Sequence, residues 1–211
     1  MKKIYFVRHG ESEGNSGPIR QVTTTVLTQK GIEQADFVAE RASKISVDFL
    51  ISSTMTRAMQ TAQIVSEKIS KPIDFSDLFV ERRRPSEVLG KLKDDPQSLI
   101  AEEEIKLHFT EPGWRFSDEE NFDDLKARAL EALAYLAARP EDNILVVTHG
   151  FFLRVIMSCV VFGEDLSGKE CQKFVQTFHM ENTGMTVLGY DDKNDKNPWW
   201  LWVWNDHAHL G

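Results

Sequence analysis

Cysteine is scarce in this sequence: Cys159 and Cys171 are the only two among 211 residues. They form no C-x-x-C pair, and Cys159 lies in a strongly apolar run, which suggests a buried thiol in a reducing compartment rather than a disulfide framework. Long hydrophobic runs are missing as well. No stretch approaches the roughly 20 apolar residues needed to cross a bilayer, so a membrane-spanning chain is excluded. The opening run, Met1 to Arg8, reaches a charge too soon after its apolar residues to act as a secretory signal, and a cytoplasmic location is expected. Positive charge is in short supply, with 25 Lys and Arg against 33 Asp and Glu and a formal net charge of −8. Without a global positive field, neither nucleic acid nor an anionic membrane surface is an expected partner, and an anionic ligand has to be held by a local cluster of cations. Fixed-period repeats and low-complexity tracts are absent, which removes repeat architectures. What remains is an ordinary globular composition, 41% apolar and 27% charged, and a length that suits one α/β domain over residues 1–211.

Short apolar runs alternate with amphipathic segments. Ile4-Tyr5-Phe6-Val7 reads as a β-strand that stops at Arg8-His9-Gly10, where glycine permits a sharp exit. A helix follows Thr28 as its N-cap, with Ile32, Ala35, Ala39 and Ala42 on one face. Asp48 to Ile51 makes a second strand. Ser52-Ser53-Thr54 then offers hydroxyl caps for a helix with Ala58, Ala62, Val65 and Ile69 inward and Arg57 in or near its first turn. From about 78 to 120 the pattern is broken by Pro85, Pro96 and Pro112 and lacks long periodicity, so it reads as an inserted cap over the sheet.

Asn121 to Arg139 is an amphipathic helix ended by Pro140. Ile144-Leu145-Val146-Val147 is a fully apolar strand whose exit, Thr148-His149-Gly150, copies that of the first. Phe151 to Phe162 suits a buried helix behind it. Gly184 to Tyr190 and Trp199 to Trp204 read as two strands joined by a polar loop, Asp191 to Pro198, that close one edge of the sheet. The tryptophans there predict core on one side and a covered edge on the other, rather than a base-stacking platform. The expected architecture is a three-layer α/β sandwich, with a mostly parallel central sheet, helices on both faces and an inserted cap segment.

In a parallel sheet, ligands bind beyond the carboxyl ends of the strands, where chain order reverses. Both His-Gly turns are expected at that edge. A helix starting just after Ser52-Ser53 would aim its free N–H groups and its positive dipole end there, with Arg57 beside them, making an anion site. Alone, each member is unremarkable: Arg-His-Gly as a structural turn, His149 as a hydrogen-bonded core residue, Arg57 as a surface charge. Their combination is what points to chemistry.

The ordered set resembles the histidine phosphatase superfamily, also called phosphoglycerate mutase-like. Phe6-Val7-Arg8-His9-Gly10-Glu11-Ser12-Glu13-Gly14-Asn15 is similar to its signature. Leu27-Thr28-Gln29-Lys30-Gly31 with Gln34-Ala35, and Ser52-Ser53 with Arg57-Ala58 and Gln60-Thr61-Ala62, resemble the next two segments. Val147-Thr148-His149-Gly150 resembles the second-histidine segment, and Asn205-Asp206 with His209-Leu210 the closing one. The resemblance implies His9 as nucleophile, Arg8, Arg57 and His149 as a phosphate clamp with Gly150 beside them, and Glu81 as proton donor. It implies a small phosphorylated substrate and neither metal nor cofactor. Two guanidiniums and a protonated imidazole would stabilise the charge of a transferring phosphoryl group, while a neutral imidazole attacks in line.

Several choices stay open on sequence. Glu87 is the alternative to Glu81, whose own alternative is a solvated carboxylate paired with its arginine neighbours. Ser12 and Asn15 either touch phosphate or cap a turn. Arg82-Arg83-Arg84, with Lys91 and Lys93, either hold a second anionic group of the substrate or form a solvated face. Trp114, Arg115 and Phe116 are candidates for the entrance. His207 and His209 lack a third ligand and make a poor metal site. Phe151 stands where mutases of this family carry a polar Asn, which favours hydrolysis over mutase-type transfer. A non-catalytic phospholigand-binding protein is disfavoured because His9, Arg8, Arg57 and His149 are all present. No oligomeric state is specified.

Overall fold

A computed structural model describes residues 1–194 and 196–211. Asp195, in the expected polar loop, lies outside the described residues. In chain order the elements are β1 (Lys2–Arg8), α1 (Glu13–Ser16), α2 (Gln29–Ala42), β2 (Phe49–Ser52), α3 (Thr56–Ile69), β3 (Ile73–Phe75), α4 (Pro96–His108), α5 (Phe122–Ala138), β4 (Asn143–Thr148), α6 (Gly150–Phe162), α7 (Gly168–Thr177), β5 (Met185–Tyr190) and β6 (Trp199–Asp206). The six strands form one sheet in the order β3-β2-β4-β1-β5-β6. The first four strands of that order run parallel, β5 is antiparallel to β1, and β6 is antiparallel to β5.

Alternation along the strands sends side chains to two cores. On one face Ile4, Phe6, Ile51, Ile144 and Val146 pack with Leu125, Leu136, Phe152, Ile156 and Cys171 of α5, α6 and α7. On the other, Val7, Leu50, Leu145 and Val147 pack with Val38, Ala39, Ala58, Ala62 and Val65 of α2 and α3. This double coverage explains why β4 is apolar without alternation: five of its six residues are buried. It is the three-layer α/β sandwich expected from the alternating pattern.

Several local expectations need correction. Ile32 is exposed, and α2 turns Gly31 inward instead. A Cβ at Gly31 would lie 1.9 Å from the Glu11 carbonyl oxygen, so the helix sits on the loop after β1 only because that position is glycine. Helix α3 starts at Thr56 behind Met55 and has no side-chain cap; Ser53 Oγ does accept from Met55 N at 3.2 Å but also serves the site described below. In the 78–120 segment, Pro96 opens a 13-residue helix rather than breaking one. Asp95 caps α4 by accepting from Gln97 N and Ser98 N at 3.0 and 3.1 Å, and proline at the first helical position loses no hydrogen bond. Strand β3 and helix α7 had no counterpart in the sequence reading.

The sheet's β5–β6 edge is as expected in place but not in cover. Trp200 lies against Gly189, and Trp204 packs edge-on to Phe174 and Phe178. Leu201, Trp202 and Val203, however, are exposed. Both cysteines are buried and free, and burial pushes the thiols up to about 12 for Cys159 and about 11 for Cys171. No helix among the described residues is long and apolar enough to cross a membrane.

Candidate active site

Register builds the site. Strands β1 and β4 are adjacent and parallel, with Arg8 opposite Thr148, and His9 N donates to the Thr148 carbonyl at 3.0 Å. The two residues that follow, His9 and His149, therefore leave the sheet side by side, with ring centroids 5.0 Å apart. Strand β2 lies on the other side of β4, and Ser53 N continues the ladder to the Val147 carbonyl. Its hydroxyl meets His149 Nε2 at 2.8 Å.

Helix α3 carries Arg57 into this edge, where it is 2% exposed. Its Nε donates to His9 Nε2 at 3.2 Å, and its Nη1 to the Val22 carbonyl. A guanidinium can only donate, so His9 Nε2 accepts; the Gly10 carbonyl, 2.7 Å from His9 Nδ1, can only accept, so Nδ1 carries the proton. His9 is thus a neutral imidazole with its lone pair on Nε2, beside a fixed positive charge. Burial holds its pKa well below the ordinary histidine value, and His149, Arg57 and Arg8 push the same way.

His149 is fully buried, and its Nδ1 has no partner among the described residues. Burial, then Arg57 and Arg8, hold its pKa well below the ordinary value too. The protonated second imidazole expected from sequence is therefore neutral in the ligand-free site. Arg8 donates from Nη1 to the Met180 carbonyl, while its buried Nε is left unpartnered. A Cβ at Gly150 would stand 3.2 Å from that Nε and 3.3 Å from Arg8 Cδ, so glycine here is the seat of the Arg8 side chain. Two buried nitrogens without partners, Arg8 Nε and His149 Nδ1, together with the desolvated Arg57 guanidinium, are the donor set that an anion-binding pocket needs. Burial lowers both arginines, Arg57 to about 10.

Glu81, not Glu87, reaches this edge. Its Oε2 accepts from Phe151 N at 3.1 Å, and its Oε1 from Phe152 N and Arg82 N at 2.9 Å each. The first two donors are the free N–H groups at the start of α6. Burial raises its pKa, but these three amides and Arg57 outweigh that and hold the carboxyl below its ordinary value, so it is ionised in the ligand-free site. Glu87 is exposed, takes a hydrogen bond from Ser117, and lies off the cleft.

Ser12 and Asn15 turn to each other: Asn15 Oδ1 accepts from Ser12 N at 3.1 Å and from Ser12 Oγ at 2.9 Å. That is the turn-capping alternative. Trp114 stacks on His108 and Arg115 pairs with Asp124; neither they nor Phe116 line the cleft. His209 meets Thr183 and Arg41, and His207 the Asn205 carbonyl. Residues given no site role on sequence are Ser53, placed in a family-like segment and read as a helix cap, and Asn182, whose Nδ2 holds the His9 carbonyl at 2.9 Å. Asn182 precedes β5, and because β5 is antiparallel to β1, the approach to β5 lies at the carboxyl end of β1; that inference was open to a reading that already had both strands.

Beside Arg57 and Glu81 opens a cleft of about 610 Å³ whose walls also include Arg82, Arg84, Lys93 and Phe151; the buried His9 and His149 lie behind Arg57 and do not line it. The part of the expected cap from Val80 to Lys93 supplies much of this wall.

Comparison with known proteins places the chain in a family and shows its fold elsewhere. Residues 4–206 match the family model described as histidine phosphatase superfamily (branch 1). The protein named "Probable phosphoglycerate mutase GpmB" from Enterobacter sp. (strain 638) is 33% identical over 168 residues, covering 76% of this chain and 75% of that one. Among solved structures, YhfR of Bacillus stearothermophilus superposes with a TM-score of 0.82 at 24% identity, covering 100% of both chains. Phosphoserine phosphatase from Entamoeba histolytica, in complex with 3-phosphoglyceric acid, gives 0.77 at 24% identity, again over 100% of both.

Proposed function

The chain belongs to the histidine phosphatase superfamily, and from that premise we propose that it hydrolyses a phosphate monoester of a small molecule through a phosphohistidine formed on His9. The observation that carries this reading is the tautomer of His9: the Gly10 carbonyl keeps the proton on Nδ1, so the lone pair lies on Nε2, where it accepts from Arg57 Nε at 3.2 Å until that donor turns to the phosphoryl group. In the first step Nε2 bonds to phosphorus as the bond to the leaving oxygen breaks, the electron pair leaves with that oxygen, and Glu81 protonates it. In the second, water attacks phosphorus, its proton goes to Glu81, and the broken P–N bond returns its pair to Nε2. Arg8, Arg57 and His149 hold the equatorial oxygens throughout.

Glu81 needs a proton that it lacks at rest. An approaching phosphate dianion raises the carboxyl's pKa by like-charge repulsion and raises that of His149 by attraction, so the substrate itself brings both groups to their working forms. The buried free thiols fit a reducing cytoplasm.

A mutase-type transfer is the second reading, favoured by the name of the 33%-identical relative. Phe151 in the cleft wall counts against it, since it offers no polar hold on a turning intermediate. The deciding experiment is hydrolysis of p-nitrophenyl phosphate in EDTA, with acid-trapping of the phosphoenzyme and, separately, 3-phosphoglycerate assayed for inorganic phosphate against isomer. Hydrolysis that survives His9→Ala, or stops with EDTA, refutes the proposal; isomer without phosphate selects the mutase.

A further inference from the structure

The cleft has a neighbour. A second cavity of about 240 Å³ lies between α4 and α7, floored by Ile105, Phe109 and Val175, and it shares Arg82, Arg84 and Phe151 with the cleft. The shared residues form a waist between the two spaces. Most cations around the cleft are already engaged. Arg20 and Arg84 share Glu102 at 2.5 and 3.0 Å, Arg128 is paired with Glu120, Arg83 Nε donates to the Asp118 carbonyl, and Lys93 donates to the carbonyls of Gly14 and Gly17. Arg82 differs. Its guanidinium stacks on the Phe151 ring at 4.4 Å and, among the described residues, has neither a hydrogen bond nor an ion pair. A stacked guanidinium presents a flat face along which an apolar chain can lie, and its rim keeps donors for a polar atom passing by.

Beyond it, Ile105, Phe109 and Val175 make an apolar floor, with Glu102, Lys106, Gln172 and Gln176 also in the lining. Apolar cavities of about 150 Å³ already take up a benzene molecule, so the second space has room for an aromatic ring or a short alkyl chain. Resting on the phosphatase reading, we infer that the alcohol released is amphipathic: it leaves the phosphate site, passes Arg82, and buries an apolar end against Ile105, Phe109 and Val175. Small, wholly polar esters would leave that surface wet.

A series of straight-chain alkyl phosphates from ethyl to decyl tests this, because leaving-group chemistry hardly varies along it. Once the chain passes the waist, kcat/KM is expected to rise about fourfold per added methylene, the worth of burying one CH₂, and to level off when the cavity is full. Val175→Trp fills the cavity and is expected to abolish the rise with chain length. Gln176→Trp, at an exposed position of the same lining, is expected to do the same and covers the case in which the buried change disturbs folding. Affinities of the matching alkylphosphonates, which cannot be hydrolysed, are measured by calorimetry alongside. A flat series in the wild type, or a rise that persists in both variants, overturns the inference. If no ester is hydrolysed, the phosphatase reading falls, and the phosphonate affinities still decide where the tail lies.

Discussion

Two neutral histidines buried against two guanidiniums should make this protein sensitive to acid at an unusually high pH. His9 and His149 both have pKa values held well below the ordinary one, so the folded state stays unprotonated there while the unfolded chain takes up protons below about 6.5. A group of this kind contributes stability that is present above the unfolded value and lost as pH falls through it. Between pH 7.5 and 5.5 each histidine should cost about 1.4 kcal/mol, and the pair about 2.7 kcal/mol, for as long as the folded pKa values stay below that window. For a chain of this length that lowers Tm by roughly 5 to 11 °C. Glu81 and Asp206 have depressed values and stay ionised throughout this window, while Glu119, whose carboxyl burial raises, adds a slope of the opposite sign that is common to the wild type and both variants. The half-buried His209, also lowered by burial and by Arg41, adds a smaller slope of the same sign. The assay is thermal or urea unfolding at intervals from pH 7.5 to 5.5, on the wild type, His149→Gln and the His9→Gln/His149→Gln double variant. The double variant should lose the part of the slope that His9 and His149 carry. An equal slope in wild type and double variant refutes the electrostatic reading of the site. Phosphate in the buffer should flatten the wild-type slope, because a bound anion lets His149 hold its proton.

Other consequences are as direct. Gly150→Ala places a methyl 3.2 Å from Arg8 Nε, and kcat/KM for an aryl phosphate should fall at least about tenfold, the worth of one displaced charge-assisted contact, with circular dichroism unchanged. Glu81→Gln should lower kcat for alkyl esters by about 10²–10⁴ and much less for p-nitrophenyl phosphate, whose leaving group needs no proton; equal losses on both remove Glu81 as the acid. Arg128→Ala strands a Glu120 carboxylate that is 10% exposed and frees the Leu78 and Val80 carbonyls, so urea unfolding should show a loss of about 3–5 kcal/mol.

How much of this was legible in the sequence depended on whether a signal was local. His9 and His149 could be placed because each follows an apolar run at a glycine, and strand ends in a parallel sheet converge. Ser53 carried a visible hydroxyl but was assigned to the nearer task of capping a helix, and only the β2–β4 register shows that it meets His149. The 78–120 segment misled through its prolines: Pro96 starts α4, and the Asp95 cap beside it is the cue that separates an opening proline from a breaking one. Helix α7 carries a capping box at Ser167 and Glu170 that the reading passed over. Glu81 against Glu87 could not be decided locally, because the amides that select Glu81 belong to α6, some 70 residues later. Burial of Trp202 was overestimated because side-chain size is no guide to cover on an outermost strand.

The place of β1 in the sheet bears on how the molecule is made. Its two hydrogen-bonded neighbours are β4 and β5, and both are synthesised after residue 142, so the strand that carries His9 leaves the ribosome long before it has anything to pair with. Non-local closure of this kind is slow. Until it happens, Ile4, Phe6 and Val7 are exposed and adhesive, and a nascent or truncated chain should be a client for chaperones, because the pairing of His9 with His149 comes into being only in that late event.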